Sequence, residues 1–174
     1  KNILIMENHS AFIGAKKALA ARIDIFEQDF DTVIYGQGKR IIRSFSFLEE
    51  LLGLEAAEEN SRQRQWRLEA LNVYYAGDLD PEGLAIYVGL KNKYPDFKIK
   101  LLGEYYQLLV EESDNFYPYH KRQNKNQKVL AEVLKKFEDQ GYNELAAELQ
   151  RSWENDLRLP QELLTLEVYK KYFA

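Results

Sequence analysis

Asp78 and Asp80 stand one residue apart in "YYAGDLDPEGLAIY" (residues 74–87), after an apolar run and before a proline. Carboxylates held that close repel one another unless a cation neutralises them or a turn takes up their oxygens. Asp80 has a complete structural explanation. With Pro81 and Glu82 it reads as the N-cap of a helix, the proline at the first helical position and an acid against the positive end of the dipole. Asp78 has no such explanation, and its residue type and place leave a metal site and a plain turn both open. Glu7 adds a third acid. It ends another apolar run, Ile3 to Met6, and the ends of neighbouring strands in a parallel sheet converge on one edge. Three acids from two strands would make an oxygen-only set suited to a hard cation, Mg2+ or Mn2+. Taken alone, Glu7 is equally a solvated residue leaving a strand.

Little else in the chain offers chemistry. Its 174 residues contain no cysteine and two histidines, His9 and His120, which excludes disulfides, thiolate zinc sites and cysteine nucleophiles. His9, close to Glu7, could orient a water or a phosphate, or be incidental. Lys39 and Arg40 follow Gly36-Gln37-Gly38 at the edge of the expected site, either as phosphate contacts or as a solvated pair. "HKRQNKNQK", from His120 to Lys128, carries four positive charges without an acid; Lys121, Arg122, Lys125 and Lys128 could track a DNA backbone or form a solvated loop. A net charge of -4 argues against binding nucleic acid by bulk electrostatics, but not against such local clusters or a bound divalent cation. No apolar run reaches bilayer length and no leader is visible, so a cytoplasmic protein is expected. The chain enters a strand almost at once after Lys1, as a piece of a longer protein would.

The elements that must position these residues alternate. Strands are expected at Ile3–Met6, Thr32–Tyr35, Asn72–Ala76 and Lys98–Leu102, the last closed by Gly103. Helical spacing runs from an N-cap at Ser10 to Ile23, twice between residues 45 and 70, and from Leu84 to Tyr94 before Pro95. The polar run from Glu55 to Gln65 is expected on a solvated face. Further helices are expected at Val129–Phe137, Tyr142–Trp153 and Gln161–Phe173, with Pro160 in the first turn of the last. Strands interleaved with helices predict an α/β fold with a roughly four-stranded, mostly parallel sheet covered on both faces. Tyr74, Tyr75 and Tyr87 read as packing residues.

A strand-end glutamate, a glycine-rich turn and a strand followed by Asp-x-Asp resemble the Toprim domain of topoisomerases, primases and related nucleases. More narrowly, "ILIMENHSAF", "VIYGQGK", "YYAGDLDPEGLAIY" and "LRLPQELL" resemble the C-terminal Toprim-like domain of the JetD proteins of Wadjet plasmid-defence systems, relatives of the topoisomerase VI A subunit. The resemblance extends from about residue 2 to about residue 165. It implies a single Toprim-like domain with a core at about residues 2–112 and a helical C-terminal portion at about 120–174, forming the C-terminal part of a longer protein. It also implies Mg2+-dependent (or Mn2+-dependent) hydrolysis of DNA, with Asp78 and Asp80 holding the metal and Glu7 a ligand or general acid/base. Glu162 in "PQE" matches a late family motif, beside its plain reading as a first-turn acid. The partners implied are double-stranded plasmid DNA and condensin-like Wadjet subunits, with a homodimer possible. Two alternatives stand beside hydrolysis: a catalytically silent DNA-binding or assembly module, and a topoisomerase VI-like transesterase using an upstream tyrosine.

Overall fold

The computed structural model describes residues 1–51, 61–119 and 121–174. Four strands, β1 (Asn2–Met6), β2 (Thr32–Tyr35), β3 (Asn72–Ala76) and β4 (Ile99–Leu101), form one parallel sheet in the order β2-β1-β3-β4. Ile3, Leu4, Ile5 and Met6 are all buried, as a central strand covered on both faces requires. Met6 pairs with Tyr35 on one side and Ala76 on the other, so β1 and β3 end level. The Glu7 N–H continues the ladder by donating to the Ala76 carbonyl at 3.1 Å, which sets the residues after the two strands side by side.

α1 (His9–Ala20) leads from β1 outward towards β2, and α5 (Pro81–Lys93) leads from β3 outward the other way to β4. Right-handed crossovers running in opposite directions put these helices on opposite faces of the sheet. The direction reverses between β1 and β3, and a crevice opens beyond the carboxyl ends of such a pair. α1 begins one residue before Ser10: Asn8 is its cap, accepting the Ser10 N–H at 2.7 Å. Asn8 serves because it leaves β1 in an extended conformation with its side chain free to turn back, whereas Ser10 already lies inside the helix. Asp80 caps α5 as expected, accepting the Gly83 N–H at 2.8 Å.

Between β2 and β3 lie α2 (Ile41–Ser44), α3 (Phe47–Leu51) and α4 (Ser61–Glu69); most of the run from Glu55 to Gln65 falls outside the described residues, as does His120. Gly103, expected to close β4, instead opens α6 (Gly103–Glu111), where a Cβ would run into the ring of Tyr142. The C-terminal part holds α7 (Gln127–Asp139), α8 (Asn143–Glu154) and α9 (Leu166–Phe173). It also holds a short antiparallel ribbon of β5 (Tyr117–Pro118) with β6 (Leu157–Arg158). The single helix expected from Gln161 to Phe173 is broken. Pro160 is extended, Gln161–Leu163 make one 3-10 turn, and α9 starts afresh at Leu166. The cause is Gln161, wholly buried, whose amide is spent on the sheet ends rather than left on a helix surface. Among the described residues no helix is long and apolar enough to cross a membrane.

Candidate functional site

Glu7, Asp78 and Asp80 line one cleft of about 510 Å³ at the carboxyl ends of β1 and β3. The hydroxyl of Tyr75, a fully buried residue of β3, donates to Glu7 Oε2 at 2.8 Å and fixes that carboxyl over the strand end. The two glycines of "GDLDPEG" exist because the same side chain passes between them. A Cβ on Gly77 would stand 2.6 Å from Glu7 Oε2, and one on Gly83 would stand 3.2 Å from it and 2.5 Å from the Asp78 carbonyl oxygen. Neither position tolerates a side chain without moving the site.

Each aspartate is held by protein donors. Asp78 Oδ1 accepts the backbone N–H of Gln161 at 2.9 Å, and Arg158 Nη1 lies 3.3 Å from Oδ2. Asp80 Oδ1 caps α5, while Oδ2 accepts from Gln123 Nε2 at 2.7 Å; Gln123 Oε1 in turn accepts the Glu82 N–H at 2.9 Å. Gln123 thus closes the mouth of the helix and covers one oxygen of its cap.

Burial is the main cause that raises Glu7 from the ordinary 4.5 to about 8, with the Asp78 charge second; the Tyr75 hydrogen bond works the other way. Asp78 is raised to about 6, again chiefly by burial, the Gln161 N–H opposing and the charges of Asp80 and Glu162 adding. A carboxyl poised near neutrality in a cleft is equipped to accept and return a proton. The donor set, all oxygen with like charges that Arg158 offsets only at Asp78, fits a hard divalent cation. Among the described residues no three such side chains are arranged as ready-made ligands. The aspartates would exchange Gln123 and Arg158 for the ion.

The remaining expected residues divide. Lys39 reaches the cleft and pairs with Glu82 at 3.0 Å. Arg40 turns back to Gln37 at 3.3 Å, and the exposed His9 packs its ring edge-on against Tyr35 at 5.3 Å; neither lines the cleft. Glu162 is exposed and accepts from Asn8 Nδ2 at 2.7 Å, so it flanks Asp78 instead of sharing the cleft, and it sits in a 3-10 turn rather than the first turn of an α-helix. Lys121 and Arg122 line the cleft, Lys125 pairs with Asp156 at 2.6 Å, and Lys128 lies in the first turn of α7 away from it. Tyr75 is a packing residue as expected and a site residue as well. Gln123, Arg158 and Gln161 were not legible as site residues; the last two lie within "LRLPQELL", where nothing local marks them. Gln161 ties the site together, donating to the Ala76 carbonyl at 2.6 Å and accepting the Asn8 N–H at 2.8 Å.

A family model described as Wadjet protein JetD, C-terminal, matches residues 1–172. No curated protein matches the chain.

Proposed function

The chain belongs to the family of Wadjet JetD C-terminal domains, and on that premise we propose that it is the C-terminal, metal-dependent DNA nuclease domain of a plasmid-defence component. One observation carries the reading: a single cleft at the reversal point of the sheet combines strand-end acids that are half-buried (Glu7, Asp78) or buried (Asp80) with the cations Lys121, Arg122 and Arg158. Acids able to hold a divalent ion, facing bases able to hold a phosphate, are what phosphodiester hydrolysis needs. Asp78 and Asp80, with Glu7, would hold Mg2+ or Mn2+, which when bound supplies charge neutralisation and a nucleophilic water. Glu7, oriented by Tyr75, moves a proton to or from an oxygen of the scissile phosphate. Tyr75 and Tyr106, the tyrosines bonded at the strand ends, are fully buried and held as neutral phenols by that burial, so this chain's own residues favour attack by water over tyrosine. Double-stranded plasmid DNA is the proposed substrate, and condensin-like Wadjet subunits are the proposed partners.

A second reading, a silent module that docks those partners, draws on a different fact: the aspartate oxygens are already satisfied by Gln161, Arg158, Gly83 and Gln123. Nicking of supercoiled plasmid by the full-length protein with its partner subunits, in Mg2+ or Mn2+, separates the two. Glu7→Gln, Asp78→Asn and Asp80→Asn should each slow nicking by about 10²-fold or more. Activity that survives all three together sinks the assignment, and a covalent protein–DNA adduct would replace hydrolysis with transesterification.

A further inference from the structure

We infer that Arg158 is a catalytic residue of this cleft: it is the counter-ion of Asp78 at rest and receives a non-bridging oxygen of the scissile phosphate when substrate binds. The inference rests on the nuclease reading above.

Backbone pairing aims this arginine. β6 is held on one side by β5, where Arg158 sits opposite Tyr117, and on the other by the antiparallel bridge of Leu79 with Leu159, at 3.0 and 3.4 Å. Leu79 and Leu159 are both fully buried. Alternation along each segment therefore sends their neighbours, Asp78 and Asp80 on one side and Arg158 on the other, away from the core and into the cleft. The position is a consequence of register, not of a flexible surface side chain.

The hydrogen bonding of the guanidinium is unfinished. Nη1 has one partner, Asp78 Oδ2, at a long 3.3 Å, and Nε is shut from solvent with no acceptor at all. A buried guanidinium N–H without an acceptor is uncommon, and each one asks what it is kept for. With Nη1 turned to Asp78, the Nε and Nη2 edge remains, the planar two-donor fork that matches two oxygens of a phosphate. Arg158 lines the cleft, so the fork can meet a phosphate there once the long bond to Asp78 yields. The other cations are less suited. Lys39 and Lys125 are engaged by Glu82 and Asp156, and Lys121 and Arg122 stand at the exposed mouth, whereas the Arg158 side chain retains only 18% of its exposure.

Two roles in one residue predict opposite effects on two ligands. Removing the counter-ion frees Asp78 for a metal, while removing the fork weakens the hold on phosphate; a residue that merely supported the fold would weaken both. Isothermal titration of the chain with Mn2+ and plasmid nicking by the full-length protein with its partners read the two separately. Arg158→Gln should bind Mn2+ about 3- to 10-fold more tightly and nick about 10²- to 10³-fold more slowly. Arg158→Lys keeps the charge and the stem, and covers the case in which the glutamine variant fails to fold. It should hold Mn2+ as the unchanged chain does and nick about 10-fold more slowly, because an ammonium cannot make the fork. Nicking unchanged in the lysine variant, or Mn2+ affinity that falls together with nicking in either variant, overturns the assignment while leaving the nuclease reading intact. An unchanged chain that takes no Mn2+ and a full-length protein that nicks nothing overturn both.

Discussion

Glu7→Gln should make the protein more stable, and increasingly so as the pH rises. Glu7 is raised from its ordinary 4.5 to about 8, so the folded state binds its proton more tightly than the unfolded chain does. Between those two values the folded state carries the extra proton, and stability must fall with rising pH. The penalty is absent below pH 4.5, grows through neutrality and is complete above about pH 8. At about 1.4 kcal/mol for each tenfold change in proton affinity, the full penalty is roughly 5 kcal/mol. Glu7 keeps some contact with solvent, and relaxation around it lowers the figure; roughly 2–4 kcal/mol is the expectation above pH 8. Asp78 has the same sign but completes its change by about pH 6, which leaves the window from pH 6 to 8 to Glu7. Glutamine keeps the volume and an oxygen for the Tyr75 hydroxyl while it cannot ionise. Urea denaturation of both proteins from pH 5 to 9 gives the difference curve directly. The two should differ by less than about 1 kcal/mol near pH 5 and diverge up to pH 8, with the glutamine variant the more stable. Millimolar Mn2+ should close part of the gap, because an ion on ionised Glu7 binds only the folded state of the unsubstituted chain. Parallel curves, or a glutamine variant less stable at pH 8 than at pH 5 relative to the parent, would refute the buried, acid-crowded environment assigned to Glu7.

Asp80→Asn separates the two devices overlaid at the start of α5. Asparagine caps as well as aspartate, but its amide would face the Gln123 amide that Asp80 now accepts from, so a thermal melt should show a loss of about 1 kcal/mol while titration shows Mn2+ binding weakened about 10-fold or more. Gly77→Ala would place a methyl 2.6 Å from Glu7 Oε2 and 2.8 Å from the Tyr75 hydroxyl. Denaturation should register about 1–3 kcal/mol of overpacking, and nicking should fall although no acid has been removed; a variant indistinguishable from the parent would mean that Glu7 does not lie over the strand end.

What the chain reveals by itself is what local physics decides. The central strands announce themselves because each carries four consecutive apolar residues, and the start of α5 does so because Asp80, Pro81 and Glu82 each satisfy a need of the first helical turn. Glu7, Asp78 and Asp80 were legible as a set because parallel strands that start level end level. Where a local rule had two acceptable answers, the wrong one was open. Ser10 and Asn8 both cap well, and only the path of the chain out of β1 chooses Asn8. Apart from the Gly83 N–H that Asp80 accepts, the donors that hold the acids in place come from elsewhere. Gln123 reaches Asp80 across 43 residues, Arg158 reaches Asp78 across 80, and Gln161 reaches the same carboxylate across 83. Gln161 also breaks the helix that the spacing after Pro160 predicts, because its buried amide completes the hydrogen bonding of two strand ends, a gain that no neighbour in sequence records. Hydrophobic period and helix capping are read along the chain. The partner of a buried charge is set by the register of segments far apart in sequence, and for that reason only the tertiary structure shows an acid pair flanked by an arginine with donors to spare.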